Sequence, residues 1–559
     1  MTEKLQKQTI LDDLVNQFAD PLSFFRELIQ NAIDAGSGEV NVHFGFDPHS
    51  KPDATLPPGE GASRALQREA DGGRQQAGSL KGTMTIHVDD FGEGMNREII
   101  ETKLTRLFSS AKDDDYTKIG KFGIGFVSVF AIEPEAVCVD TGRTGESWRV
   151  LFSADKTYEL YKLDHPIEGT QIRLFKEVGR EEFDDFVARA RDVIMHWCKH
   201  VPIPIYFEDE ELAAPFDIDS PCKLEHREEG TRLVMGFVDS FEAPFGYYNR
   251  GLTLKEGDES PWPHIAFKLD SRYLEHTLTR DQILEDKNFH KAWKLLEEIA
   301  TERLPEKLVD LIEAEAKHPA GRDLHEELCG HLLRWLEVDG ALRRDWSKRP
   351  LIPTVHGEAV SLRECERRAN KGQLFAEPEA TALTARLADD YLVIRAADDS
   401  PIQRLIDRTV GHRPPVASRQ FAFAAQAAGA PAAGIGELGE QLALLVREMG
   451  GALDWVGLLE FDDGVAGNDR MALALEDRHE PVPIDDVPAC GEASLCEAHH
   501  LVLNLSDERV DKLVRLSKKE PEWAAYTLLK LLLLDDELRP ELDSLLAARA
   551  VERRKRRLD

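Results

Sequence analysis

Apolar and polar positions along the chain fall into two alternating rhythms. In Phe24-Phe25-Arg26-Glu27-Leu28-Ile29-Gln30-Asn31-Ala32-Ile33-Asp34-Ala35 the apolar residues recur every three or four positions, which predicts a helix. Residues 39–46 and 84–89 read as strands, and the Pro-, Gly- and Gln-rich residues 46–83 read as a flexible insert between them. The alternation of helix and strand signals up to residue 180 predicts an α/β first domain. Residues 181–320 open with a helix over 181–196. Strands follow at 203–207 and 231–238, and a long helix runs from Phe289 to about Ile312, giving an α/β middle domain. Residues 321–413 read as mostly helical, and the Ala/Gly/Pro-rich 414–439 reads as a linker. Residues 440–559 form a C-terminal domain with a leucine-rich helix near 523–534. The whole reads as α+β with a mainly helical rear.

Composition narrows the function classes. A chain of 559 residues, 42% of them hydrophobic, suits several folded domains and excludes a wholly disordered scaffold. The formal net charge of −33 disfavours broad coating of nucleic acid, whose sequence-independent binding needs clustered Lys and Arg. No stretch reaches the roughly 18–20 apolar residues of a membrane span, and the polar N-terminus lacks a secretory pattern. Seven scattered cysteines suit reduced thiols, so the expected compartment is the cytoplasm. Cys490, Cys496, His499 and His500 leave a zinc cluster open as an alternative to core thiols and surface histidines, although their spacing matches no common finger.

Three motifs carry chemistry. On the first helix Glu27, Asn31 and Asp34 share a face. A neutral amide oxygen beside a triphosphate suits Mg²⁺, and a nearby carboxylate can take a proton from water. The alternative is a solvated polar stripe. Val88-Asp89-Asp90-Phe91-Gly92-Glu93-Gly94-Met95 ends a strand in a carboxylate able to accept from an exocyclic amine, or is a simple turn. Ile119-Gly120-Lys121-Phe122-Gly123-Ile124-Gly125-Phe126 is a glycine-rich loop feeding a helix, where free backbone N–H groups suit phosphate.

In this order and at these intervals, together with Glu168-Gly169-Thr170 opening a late strand, the motifs resemble the GHKL (Bergerat-fold) ATPase superfamily. The resemblance is to its heat-shock-protein-90 / HtpG-like branch. It implies an ATPase sandwich in which Glu27 is the general base and Asn31 the Mg²⁺ ligand, with Asp34 in support. Asp90 and Thr170 would meet adenine, Gly92, Gly94 and Met95 would line the base, and Gly120, Gly123, Ile124, Gly125 and Phe126 would hold phosphate. Lys112, in a lid over 107–119, lies within reach of phosphate or stays solvated. Downstream, Thr279-Arg280-Asp281 resembles the branch's catalytic loop, so Arg280 is expected to reach the γ-phosphate. Leu284 stands where the family has a Gln, and the lid is shorter than the family's.

The resemblance implies ATP and Mg²⁺ as cofactors, slow hydrolysis, protein clients and a C-terminal homodimer; the leucine run 528–534 is apolar on too much of its circumference for solvent, which predicts a buried or dimer-interface position. A MutL- or MORC-like clamp on DNA, or a non-hydrolysing ATP sensor in stress or defence, are the alternatives. The closing Arg553-Arg554-Lys555-Arg556-Arg557 run is expected to be solvated or paired within the chain rather than on nucleic acid.

Overall fold

Residues that alternate along a strand share a face of its sheet, and in the first part of this chain that rule builds apolar rows across neighbouring strands. The computed structural model describes residues 20–49, 81–109, 124–275, 283–317, 322–339, 342–422, 435–459, 470–504, 506–534 and 538–559. The chain divides into two units, Met1–Leu304 and Pro305–Asp559.

The first unit opens with helix α1, Phe24–Asp34, preceded by a short turn whose start is held by the Asp20 carboxylate accepting from Leu22 N at 2.9 Å. Strands β1 (Val40–Pro48), β2 (Lys81–Asp90), β3 (Ala136–Arg143), β4 (Glu146–Ser153), β5 (Tyr158–Lys162) and β6 (Thr170–Gly179) follow. They form an eight-stranded sheet in the order β5-β4-β3-β6-β2-β1-β7-β8, completed by β7 (Ile205–Phe207) and β8 (Glu210–Glu211). Antiparallel β1 and β2 bracket the inserted stretch, in register from Val40 with Asp90 to Pro48 with Gly82. Residues 50–80 of that insert lie outside the described residues.

Two rows cross three strands: Ile86, Leu174 and Val137, then Val88, Ile172 and Val139. All six are buried, and with Phe24, Phe25, Leu28 and Ile29 of α1 they belong to one core. Helix α2 (Arg180–Cys198) adds Ala190, Ile194 and Cys198 to it. The opposite face of the sheet is polar, with Asp140 held by Arg149 at 2.6 Å and by Arg173 at 3.3 Å.

A second sheet in the same unit has the order β12-β11-β13-β10-β9, made of β9 (Lys223–Glu228), β10 (Thr231–Phe237), β11 (Phe245–Asn249), β12 (Leu252–Gly257) and β13 (Ile265–Ser271). Helix α3, Lys287–Glu298, starts where the Asp286 carboxylate accepts from Asn288 N and Phe289 N, each at 2.9 Å. Its Phe289 and Trp293 rings pack against Tyr247 and Trp262.

In the second unit the long elements are helical, but residues 321–413 are less helical than their sequence suggests. Alongside helices Arg322–Asp339, Leu362–Ala369 and Pro401–Val410 lie two strand pairs, Pro350–Pro353 with Ala359–Ser361 and Leu374–Glu377 with Leu392–Arg395. Each strand has three or four residues, too short for a period of two to stand out. The linker reading of 414–439 also gives way at both ends. Ala417 and Phe421 are buried in a small cluster with Phe375, and Leu438 is buried in the helix Gly436–Glu448.

The C-terminal part packs Gly436–Glu448, Glu508–Ser517, Pro521–Leu533 and Pro540–Leu558 with a three-stranded sheet built from Trp455–Leu459, His500–Asn504 and Ala472–Leu475. Leu528, Leu529, Leu532 and Leu533 are buried in this unit's own core, so the leucine run needs no second copy to cover it, and Leu534 alone of the run is strongly exposed. The four residues left open for zinc have separate partners. Cys490 donates to Ala472 O, Cys496 to Met449 O, His499 sits 2.7 Å from Asp454, and His500 accepts from Arg478 N. No group of three or more His, Cys, Asp or Glu side chains able to hold a metal occurs among the described residues. The basic C-terminal run is paired within the chain, Arg553 with Glu448, Arg554 with Glu520 and Arg557 with the buried Glu522. Among the described residues no helix is long and apolar enough to cross a membrane.

Candidate active site

The apolar rows of the first sheet run out into a polar one. One step beyond Val88, Ile172 and Val139 on the same face stand Asp90, Thr170 and Thr141, paired across the strands as Asp90 with Thr170 and Thr170 with Thr141. Three polar side chains therefore continue the layer that faces the helices. Asp90 and Thr170 floor a cavity of about 310 Å³ whose walls include Leu28, Asn31, Asp34, Gly94, Met95 and Phe126, and the fully buried Thr141 backs Thr170 from behind.

Being in line with the core has an electrostatic consequence for Asp90. Burial raises its carboxyl to about 6, against the opposing pull of backbone N–H groups of Gly92 and Thr170. Gly92 N donates to Asp90 Oδ1 at 2.9 Å. The two threonine hydroxyls lie 3.1 Å apart, and Thr141 Oγ1 also accepts from Met95 N at 2.9 Å. Thr141 thus joins the Met95 loop to the Asp90 row.

Loop Phe91–Met95 is fixed from both sides. Phe91 N donates to Ser37 Oγ at 2.9 Å and Glu93 N to Ala35 O at 2.9 Å, which ties it to the end of α1. Gly94 has φ +62, and a β-carbon there would overlap the Gly142 carbonyl oxygen, so no other residue fits the position.

On α1, Asn31 and Asp34 line the cavity, one and two turns beyond Glu27. Glu27 is 5% exposed and lies beside the glycine loop's end, where a β-carbon on Gly125 would overlap its carboxylate. Gly125 and Phe126 belong to the short helix Ile124–Val127, whose Phe126 ring is buried and forms one cavity wall. A carboxylate desolvated beside a polar cavity, with an amide one turn on, suits a water-activating base next to a hard cation.

Of the residues expected from sequence, Asn31, Asp34, Asp90, Gly94, Met95, Phe126 and Thr170 come together at this cavity. Gly92 holds Asp90 from the adjoining turn. Lys112, Gly120, Gly123 and Arg280 lie outside the described residues, as does 110–119 of the expected lid. Sequence reasoning missed Thr141, Lys103 and Arg143. Lys103 and Arg143 line the cavity, and Arg143 pairs with Glu93 at 2.5 Å. Lys103 was legible in part, since the Asn96 side chain caps a turn at Ile99 N and the buried Ile100 and Leu104 set that segment's inward face.

Residues 3–139 match the Sacsin domain family. The chain is 25% identical over 253 residues to the chaperone protein HtpG of Nitrobacter hamburgensis, covering 42% of this chain and 37% of that protein. It is 27% identical over 287 residues to HtpG of Rhodospirillum rubrum, covering 48% and 41%. With HtpG of Anaplasma phagocytophilum identity rises to 36% over 146 residues, 23% of this chain and 22% of that one. These similarities support a place for the chain in the GHKL, Hsp90-like branch.

The matching stretch spans roughly two fifths or less of these Hsp90-like relatives' length, and 287 residues at most of the three alignments.

Proposed function

We propose that the chain binds ATP with Mg²⁺ in the cavity above Asp90, hydrolyses it slowly, and uses the cycle as a cytoplasmic, homodimeric clamp that holds or remodels protein clients. The observation that carries the reading is the Asp90–Thr170–Thr141 row, an in-register polar end to an otherwise apolar layer, roofed by a helix bearing Asn31 and Glu27.

In this reading the ionised Asp90 accepts a hydrogen bond from the adenine amine, and Thr170 with Thr141 fixes the base edge. Met95 supplies an apolar wall. Asn31 would hold Mg²⁺, a hard cation satisfied by one amide oxygen with phosphate and water oxygens. When bound, Mg²⁺ supplies charge neutralisation at the phosphates. Lys103 adds a positive charge from the cavity wall, in the part that sequence alone would give to Lys112. Glu27 takes a proton from the attacking water, its carboxylate kept in place by the bare backbone of Gly125. Arg280, by the family resemblance, would stabilise charge on the γ-phosphate.

The test is ATP turnover and solution mass measured together on wild type and Glu27→Ala. Turnover by a dimer that falls by about 100-fold or more in the variant supports the enzyme. Binding without turnover in wild type supports the sensor, and normal turnover in Glu27→Ala removes Glu27 from the mechanism.

A further inference from the structure

One ion pair joins the nucleotide pocket's wall to the second sheet. Arg250 Nη1 donates to Asp34 Oδ1, at the C-terminal end of α1 and 216 residues away in sequence. Asp34 lines the cavity.

The backbone that presents Arg250 is unusual. Asn249 and Leu252 pair directly, so Arg250 and Gly251 make a two-residue hairpin loop between β11 and β12. Their φ angles are +52 and +80. Such a turn is the province of Asn, Asp and Gly, and an arginine held in the left-handed region is a departure that surrounding contacts must enforce. Those contacts are present. A β-carbon on Gly251 would overlap the His200 carbonyl, Gly251 N donates to Asp270 at 3.0 Å, and Asp270 is paired with Arg232 at 3.0 Å. Asn249 Nδ2 donates to the carbonyl of the buried Leu274 at 2.9 Å. The hairpin tip is thus a fixed mount, and what it carries toward the cavity is one guanidinium.

We infer that Arg250 is a positioning residue of the proposed ATPase: through Asp34 it holds the last turn of the helix bearing Asn31 against the second sheet, so that occupancy of the cavity and the state of that sheet depend on each other. The inference rests on the ATP reading of the cavity. Binding energy exchanged between two sites is reciprocal, so nucleotide should steady the hairpin, and the Arg250 contact should tighten nucleotide binding by the same factor.

The experiment compares full-length wild type, Arg250→Asn and Arg250→Lys. Asparagine accepts the left-handed turn, so the variant folds while losing the cation. Mg-ATP is the ligand, with thermal midpoint, Kd, kcat and amide exchange of residues 245–257 as readouts. Expected for Arg250→Asn are an unchanged midpoint without nucleotide, a Kd weaker by roughly fivefold with a lower kcat, and loss of the Mg-ATP-dependent protection of 245–257 expected in wild type. Arg250→Lys should recover most of each. Wild-type binding with the same kcat and the same protection in Arg250→Asn overturns the inference and leaves the ATP reading standing. Failure of wild type to bind Mg-ATP overturns the ATP reading, and this inference with it.

Discussion

The cavity floor and the C-terminal core use similar materials to opposite ends. Both pack helices on a sheet, and both place charged residues next to buried leucine, valine and isoleucine. In the C-terminal part the charges satisfy one another: Arg554 meets Glu520 at 2.5 and 2.8 Å, and Arg557 meets the 1%-exposed Glu522 at 2.7 Å. Its leucines fill its own interior. At the cavity floor Asp90 is held by backbone N–H groups and has no cationic partner among the causes of its raised carboxyl, while the space above it stays open. A layer that closes on itself is a core, and a layer whose last row is polar and borders a cavity is a candidate site.

That contrast can be broken from either side. The largest effect is expected from Asp90→Asn, which keeps the shape but turns an ionised acceptor into a neutral amide. Mg-ATP affinity measured by calorimetry should fall by roughly 10- to 100-fold, with thermal stability kept. Leu529→Ala should do the reverse, lowering the stability of the second unit by about 2–5 kcal/mol in a denaturant titration while ATP affinity at the floor is unchanged.

Acidity sharpens the difference further. Asp90's folded carboxyl stands at about 6, above the usual 3.8, because burial penalises its charge. The ionised form therefore weighs against the nucleotide-free fold: this group's contribution to stability falls as pH rises from about 4 to about 6. Ligand binding runs the other way. It needs the carboxylate, so Kd for ATP should be flat above pH 7 and weaken below about 6, approaching tenfold per pH unit. A profile without that inflection would remove Asp90 as the adenine-reading group. The smallest effect is expected from Thr141→Val, which cuts the link from Met95 N to Thr170 and should weaken ATP binding by about fivefold.

Legibility in the sequence followed the range of the interactions involved. Helix α1 and its Glu27, Asn31 and Asp34 stripe depend on neighbours three and four residues apart, and strands β1 and β2 announce themselves by alternation. The short strands of 350–395 do not, because three or four residues hold no period. The leucine run was legible as buried, but whether its cover came from this chain or a second copy required seeing the helices Gly436–Glu448 and Pro540–Leu558 beside it.

The sequence by itself determined which residues could do chemistry: a carboxylate, an amide, two glycine-rich turns and a Gly-Thr strand, in an order that few folds share. It also determined which face of each strand is apolar, because alternation is a local property. Only the tertiary structure decided that Asp90, Thr170 and Thr141 form one row, that Lys103 and Arg143 join the cavity, and that Arg250 reaches Asp34. The physical reason is register. A strand's own residues fix its two faces, but which residue of a distant strand stands opposite is set by the pairing of whole sheets, and a slip of one residue would have turned Asp90 to the other side.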